Sequence, residues 1–401
     1  MKTEKISERI HYIGVNDRTT HKFEGMWPLP LGVSYNSYLI EGSEKCAIID
    51  SVEVSHSLQL TDHIASLIGD RRPDYLVINH MEPDHSGAIR ILRAAYPDIV
   101  IVGNTQTLSM VKGYYGEDTG TLAVADGDTL SLGPETTLQF ALTPMVHWPE
   151  TMMTYLREEK TLFSGDAFGC FGALNGAVID NEMNTERYYP EMVRYYSNIV
   201  GKYGMFVQRA LKKLEGLELG TVCPTHGPVW RSEIDRIKGL YDTLSRYEPL
   251  DNGVTIVYGS MYGHTELMAE TAADALADAG IKDISVINAS VTDLSYIIAD
   301  IFRHRGLVIA SPTYSNTLFP PITAVMEAIT IRGIQNREIM TLGSHTWAQK
   351  AVIEIGHHLE NAGLKTVTEP VVVKQSPDSE QLSQIRAAAT ALAERLASYS
   401  S

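Results

Sequence analysis

The chain has 401 residues, 44% of them hydrophobic and 20% charged, with a formal net charge of −16. That length predicts two domains, each able to bury its own core, and the composition is that of an ordinary globular protein. The acidic surplus is spread along the chain, with 23 basic and 33 acidic side chains in residues 1–250 and 10 and 16 in residues 251–401, which argues against nucleic acid as a partner.

In chain order, the amino terminus "MKTEKISERI" lacks the apolar core and small-residue cleavage site of a signal peptide. Short β-type runs then alternate with turn clusters: "SYNSYLI" (34–40), "KCAIID" (45–50), "DYLVIN" (74–79), "DIVIVG" (98–103), "TTLQFALTP" (136–144) and "TLFSGD" (161–166). Helical periodicity over residues 55–69 makes this an α/β mixture rather than a β sandwich. The amphipathic stretch from Tyr188 to Leu217 reads as a helical crossover that returns to one last strand in "ELGTVCPTHG". Turn formers in "RYEPLDNGV" (246–254) mark a boundary, giving domains 1–250 and 251–401. Beyond it, strands at 254–260, 283–289, 306–311, 337–343 and 366–373 alternate with helices at 264–279, 293–302, 320–331, 346–362 and 379–399. That grammar predicts a doubly wound parallel five-stranded sheet.

No apolar run approaches the roughly 20 residues that span a bilayer, so a membrane is not expected as a partner. Cys46, Cys170 and Cys223 form no Cys-x-x-Cys pair. A disulfide framework and a thiolate-bound cluster are therefore not expected, and a cytoplasmic protein fits best.

The loop "INHMEPDHSG" (78–87) sets His80, Glu82, Asp84 and His85 directly after an apolar run. Strand-end loops are where α/β folds place ligands, and imidazole with carboxylate suits borderline and hard metals. The spacing projects alternate residues to one side and can serve two neighbouring metals. Taken alone, the motif is equally well a solvated loop with Asp84 and Ser86 as caps. Three further strand ends carry a lone ligand-type residue: His147 in "TPMVHWPE", Asp166 in "LFSGDAFG" and His226 in "VCPTHGPV". Together they point to a binuclear site.

On these motifs the sequence resembles the flavodiiron proteins, whose amino-terminal half has the αββα metallo-β-lactamase fold. In that superfamily the first loop usually reads His-x-His-x-Asp-His and binds zinc; here Glu82 takes the second histidine's place. A carboxylate there raises the charge and hardness of the site, which suits iron better than Zn²⁺. The resemblance implies two non-haem irons, one held by His80, Glu82 and His147, the other by Asp84, His85 and His226, with Asp166 bridging. It assigns no ligand role to Cys170 or Cys223, which read as core packing. Many relatives have Phe-His-Gly near the amino terminus, with the histidine close to the metals; this chain reads Phe23-Glu24-Gly25, which bears on proton delivery or substrate preference. Tyr195 is a second candidate donor beside the metals, although a packed helix tyrosine is the plainer reading.

In the second half, "YGSMYGHTE" (258–266) joins a strand to a helix and offers backbone N–H groups and a positive dipole end to a phosphate. Ser260 and Thr265 also have a plain reading as helix caps. "SPTYSNTLFPP" (311–321) and "GSHTWAQK" (343–350) add aromatic and hydroxyl residues at two later strand ends, as a flat ring would require. These stretches look like the FMN loops of flavodoxin-like domains. Ser260, Met261, Tyr262, Gly263, His264 and Thr265 are expected at the phosphate. Pro312, Thr313, Tyr314, Ser315 and Asn316, with Ser344, His345, Thr346, Trp347 and Ala348, are expected around the ribityl chain and ring.

The resemblance covers nearly the whole chain and implies a reductase: electrons pass from an external donor through FMN to the irons, where dioxygen is reduced to water or nitric oxide to nitrous oxide. It also implies a head-to-tail homodimer, or a dimer of dimers, because flavin and irons lie at opposite ends of one family subunit. Trp27, Trp148 and Trp347 either line that interface or belong to the core. Without a carboxy-terminal extension bearing cysteine pairs, the donor is expected to be a separate molecule such as a rubredoxin or a reduced deazaflavin. The alternatives are a zinc-dependent hydrolase with an appended flavodoxin-like domain, against which Glu82 speaks, and a non-catalytic electron-transfer flavoprotein.

Overall fold

The computed structural model describes residues 3–399. The chain divides into two compact units, one comprising the chain up to Tyr196 together with Met205–Asp242, the other Ser197–Gly204 together with the chain from Thr243 onward.

The first unit has two principal sheets. Seven strands run in the order Glu4–Lys5, Ile10–Tyr12, Tyr38–Glu41, Cys46–Ile49, Tyr75–Val77, Val100–Gly103 and Thr121–Ala123. The other sheet orders Thr129–Ser131, Thr137–Leu142, Met152–Leu156, Thr161–Gly165 and Thr221–Pro224. Side chains from both sheets meet in the core, where the Tyr38 and Phe163 rings lie 5.3 Å apart and the Tyr38 hydroxyl donates to the Pro224 carbonyl at 2.6 Å. Outside the larger sheet, helix Ser57–Ile68 buries Leu60, Ile64 and Ile68, one stripe at a spacing of four. This is the expected αββα layering. The strand Met152–Leu156 was not apparent in the sequence: every residue in it is buried, so hydrophobicity does not alternate.

The single crossover helix expected over 188–217 is corrected by the structure. An α-helix covers Tyr188–Tyr195, a π turn Tyr196–Val200, a 3₁₀ turn Gly201–Tyr203, and an α-helix resumes over Gly204–Leu214. "SNIVGKYG" explains the interruption, because Ser, Asn and Gly are weak helix formers and the stretch takes other partners. The Asn198 side chain donates to the Ser295 carbonyl at 3.0 Å, and Arg332 Nε donates to the Ser197 carbonyl at 2.8 Å. A Cβ on Gly204 would stand 2.3 Å from the Ser245 carbonyl oxygen, so only glycine permits that approach.

In the second unit the five expected strands are parallel in the order Ile284–Asn288, Asp251–Tyr258, His304–Tyr314, Glu338–His345, Val371–Lys374. The chain reverses direction across the sheet after its first strand, so a crevice opens at the carboxyl ends of the first and third. One strand was not foreseen: Thr317–Leu318 folds back antiparallel on Thr313–Tyr314. Several expected boundaries shift, two of them most. The helix at 346–362 begins at Ala351, because the Thr313 hydroxyl accepts the Lys350 and Ala351 N–H groups at 3.1 Å and holds the preceding residues as a loop. The strand at 366–373 begins only after Pro370, at Val371. Among the described residues no helix is long and apolar enough to cross a membrane.

Candidate metal centre and cofactor pocket

The loop after Tyr75–Val77 is split by Pro83. Pro83–Ser86 forms a single helical turn, with the His85 and Ser86 N–H groups bonded to the Glu82 carbonyl at 2.9 and 3.0 Å. His80 and Glu82 precede this turn and join one group of donors, while Asp84 and His85 lie within it and join another, which replaces the alternation expected from spacing. Asp50, after the strand Cys46–Ile49, fixes the loop from behind by accepting the Asn79 N–H at 2.7 Å. Burial raises its carboxyl to about 6.

His147, Asp166 and His226 arrive from three other loops, and all seven side chains are buried. They form two groups. His80, Glu82, His147 and Asp166 offer donor atoms within 4.8 Å of one another, and so do Asp84, His85 and His226. Glu82 Oε2 stands 3.3 Å from His80 Nε2 and 3.0 Å from His147 Nε2, and Asp84 Oδ2 stands 3.3 Å from both His85 Nε2 and His226 Nε2. Asp166 divides itself between the groups: Oδ2 lies 3.0 Å from His147 Nε2, and Oδ1 lies 2.9 Å from His85 Nε2.

The electrostatics favour cations. Burial would strip protons from these imidazoles, but the neighbouring carboxylates outweigh it, raising His80 well above its usual range and His85 and His147 to about 9. The same imidazoles hold Asp166 and Glu82 far below the ordinary carboxylate range despite their burial. Both Asp84 oxygens, Asp166 Oδ2, His85 Nε2 and His226 Nε2 are buried without a hydrogen-bond partner among the described residues. Buried polar atoms are rarely orphaned, and a convergent set of them is what metal ligation leaves when only protein atoms are counted. With three carboxylates, four imidazoles and no thiolate, the donor set fits a pair of hard or borderline divalent ions.

Supporting residues complete the centre. His80 Nδ1 lies 2.8 Å from Glu150 Oε1, His226 Nδ1 lies 2.7 Å from the Ser34 carbonyl oxygen, and the Thr225 hydroxyl donates to Asp166 Oδ1 at 2.6 Å. Sequence reasoning missed Glu150 and Ser34. Glu150 carried a signal, as an acidic residue three positions after a ligand histidine; Ser34, whose carbonyl meets His226 and whose hydroxyl accepts the Gly227 N–H at 2.8 Å, carried none. Cys170 is buried, and a Cβ on Gly227 would stand 2.3 Å from its Sγ, so the thiol fills space under the His226 loop.

Glu24 and Tyr195 both approach the metal centre. Trp27 Nε1 donates to Glu24 Oε2 at 2.9 Å, and partial burial followed by the charge of Glu82 raises the Glu24 carboxyl to about 7. Tyr195 is fully buried, its ring 5.5 Å from that of His226 and 5.0 Å from that of Phe171. Burial and the Asp166 and Glu82 charges raise its phenol, and its hydroxyl has no hydrogen-bond partner among the described residues. Trp27 is buried, Trp148 half-buried and its ring 5.3 Å from that of His80, and Trp347 81% exposed.

In the second unit the expected phosphate loop leads into helix His264–Asp278. Gly263 adopts φ +89°, and among the described residues no side chain caps the helix, which leaves first-turn N–H groups for an anion. Ser260 accepts the Gly263 N–H at 3.0 Å, and the Thr265 and Ser344 hydroxyls are 2.9 Å apart. A cavity of about 290 Å³ is lined by Ser260, Met261, Tyr262, His264, Thr265, Pro312, Thr313, Ser344, His345 and Thr346. Gln375, unforeseen in the sequence, completes it from the end of the last strand. Tyr314, Ser315, Asn316, Trp347 and Ala348 do not line this cavity; Ser315 and Asn316 form the positive-φ tip of the hairpin, and Tyr314 is 43% exposed. Polar groups at the phosphate end with Tyr262, Tyr314 and Trp347 exposed beside the opening fit a phosphorylated cofactor whose flat ring sits at a rim. A larger cavity, about 1010 Å³, opens at the other end of the strands, where Arg395 and Glu338 pair at 3.1 Å.

A buried two-group His/carboxylate centre in an αββα unit, followed by a flavodoxin-like unit, defines a flavin- and metal-dependent oxidoreductase. Residues 33–227 match the model of the ODP family beta lactamase, and residues 256–388 that of flavodoxin. The chain is 31% identical over 387 residues to the anaerobic nitric oxide reductase flavorubredoxin of Escherichia coli O1:K1 / APEC, spanning 95% of this chain and 80% of that protein. Its structure superposes with a TM-score of 0.94 on the rubredoxin oxygen:oxidoreductase of Desulfovibrio gigas, at 29% identity over 99% of both chains. The flavodiiron protein of Giardia intestinalis gives a TM-score of 0.94 at 26% identity, over 100% of this chain and 98% of that one. The chain belongs to the flavodiiron protein family.

Proposed function

We propose that this protein is a terminal reductase that passes electrons from an external donor through FMN to a diiron centre, where dioxygen, nitric oxide or both are reduced. The observation that carries this reading is the double cluster with Asp166 between its halves, an arrangement suited to two metals and one small substrate. In this reading residues 1–250 form the diiron domain and residues 251–401 the FMN domain. His80, Glu82 and His147 hold one iron, Asp84, His85 and His226 the other, and Asp166 bridges. Ser260 to Thr265 hold the phosphate, while Pro312 to Asn316 and Ser344 to Ala348 surround the rest of the flavin. When bound, the flavin supplies electrons singly or in pairs, and the irons supply open coordination positions for a diatomic molecule.

The protein's own residues have distinct tasks. Glu150 and the Ser34 carbonyl orient His80 and His226 through the nitrogen that does not face the metals. Phe23, its ring 5.4 Å from that of His226, and Phe171 exclude water from that side. The Tyr195 hydroxyl and the Glu24 carboxyl are the groups placed to deliver protons beside the centre.

The donor in this reading is a separate rubredoxin-like protein or a reduced deazaflavin; the name of the Desulfovibrio gigas relative, which pairs rubredoxin with oxygen, supports the first. The working assembly is a head-to-tail homodimer or a dimer of dimers, as the sequence resemblance implies. The setting is cytoplasmic, supported by three free, buried cysteines.

The deciding experiment mixes the four-electron-reduced protein in a stopped-flow instrument with dioxygen and, separately, with nitric oxide. Reoxidation of the irons by at least one gas is expected. Reoxidation by neither, or two zincs per chain with hydrolase activity, would overturn the reading.

A further inference from the structure

A third group of ligand-type side chains lies in the second unit, at the amino ends of the strands and so at the opposite end of the sheet from the flavin loops. Asp251 opens the strand Asp251–Tyr258, Asp283 immediately precedes Ile284–Asn288, and His304 opens His304–Tyr314. The parallel register sets Asp251 directly beside His304. Asp251 Oδ1 and Asp283 Oδ1 each stand 3.6 Å from His304 Nε2, and the three donor atoms lie within 4.8 Å of one another.

The hydrogen bonds around this group determine what its centre lacks. The Thr255 hydroxyl donates to Asp300 Oδ2 at 2.8 Å, so its lone pair is what meets His304 Nδ1 at 3.1 Å, and that nitrogen carries the proton. In the neutral ring Nε2 is then a lone pair. The imidazole is fully buried, and Nε2 has no hydrogen-bond partner among the described residues. It faces two carboxylate oxygens, of which Asp251 Oδ1 also accepts the Gly253 N–H at 2.9 Å, so three acceptors converge and none of them offers a proton to the imidazole nitrogen.

The outer oxygens are already occupied. Arg303 Nε donates to Asp251 Oδ2 at 3.0 Å, and Arg303 Nη2 pairs closely with Asp283 Oδ2. One guanidinium thus turns both inner oxygens toward His304, the kind of support that orients metal ligands. Gly253 allows the crowding, since a Cβ there would stand 2.8 Å from Nε2.

Distance separates a proton from a metal as the missing cation. A charged N–H to carboxylate bond closes to about 2.8 Å, whereas two ligands on a tetrahedral ion with bonds of about 2.1 Å are about 3.4 Å apart. The observed 3.6 Å lies near the second value. It also falls within the range of 2.9 to 3.8 Å that imidazole–carboxylate pairs show in the two-group metal centre.

We propose that Asp251, Asp283 and His304 form a third metal site, which takes a divalent cation of the zinc class with a fourth position open to water. Such an ion ties the starts of three adjacent strands together. The site is independent of how the diiron centre is read.

The test uses the FMN- and iron-loaded protein at pH 7.5, titrated with Zn²⁺ against a chromogenic chelator, with iron content measured before and after. One zinc per chain beyond the retained iron is expected, bound at least tenfold more weakly in Asp283→Asn and in His304→Gln. Asp283 is half-exposed in its side chain, so Asp283→Asn decides should His304→Gln fail to fold. Three results would each overturn the proposal: no additional zinc, additional zinc that only matches iron lost, or affinity unchanged in Asp283→Asn.

Discussion

His80 and Glu150 face each other across 2.8 Å, Nδ1 to Oε1, with the carboxylate also accepting the Met81 N–H at 2.9 Å. The imidazole is thereby fixed in one orientation with its Nε2 lone pair toward Glu82, His147 and Asp166. Glu150→Gln keeps the shape but removes the charge that makes the ring a strong ligand. Iron affinity is expected to fall roughly 10- to 100-fold, read as faster iron loss to a chelator, with FMN content unchanged.

Tyr195 presents a buried hydroxyl with no hydrogen-bond partner among the described residues beside His226. Tyr195→Phe preserves the ring contacts with Phe23 and Phe171, so iron content and melting temperature are expected to stay the same. If the hydroxyl supplies a proton or a hydrogen bond to the reacting gas, the rate of iron reoxidation falls about tenfold or more in stopped flow. An unchanged rate would reduce Tyr195 to packing.

Asp17 supplies a pH prediction. Burial alone would raise its carboxyl, but hydrogen bonds from the side chains and N–H groups of Thr20 and Thr19 outweigh it and hold the group well below the usual carboxylate range. A depressed carboxylate stabilises the fold above its unfolded value of about 4 and loses that contribution as pH falls through the folded value. Asp17→Asn is therefore expected to cost roughly 2 kcal/mol at pH 7. The gap from the parent should narrow progressively below about pH 4 in urea melts. A gap independent of pH would refute the assignment.

Gly263 enters the phosphate helix at φ +89° with nothing within 4 Å of the position a Cβ would take. Alanine there meets no clash, only backbone strain of about 1–2 kcal/mol. Gly263→Ala is expected to bind FMN about tenfold more weakly in fluorescence titrations of the apoprotein, because the loop relaxes away from the conformation that presents its N–H groups.

How much of this was legible in the sequence differed by element. The alternating strands and helices of the second unit were readable because each strand is short, apolar and bounded by turn formers. Met152–Leu156 was not, since burial of both its faces erases periodicity. The ligand-type histidines and carboxylates stood out as polar residues at strand ends, and the structure gathers them into two groups. Ser34 and Asp50 did not stand out, because their contributions depend on chain segments far apart in sequence. The break within 188–217 was written in Ser197, Asn198, Gly201 and Gly204, but amphipathic periodicity on either side masked it. Of the tryptophans, Trp27 proved buried and Trp347 exposed, a distinction that composition cannot make.

Asp166 places one oxygen against each half of the metal centre, with Thr225 bonded to the oxygen nearer His85. In the proposed diiron reading, one carboxylate shared by two ions would make their occupancies cooperative: the first ion to arrive would fix the shared ligand for the second, and removal of either would free it from both. Half-filled centres would then be scarce at equilibrium. A population of such molecules would titrate between empty and full, so that a reaction needing both metals is not started by one.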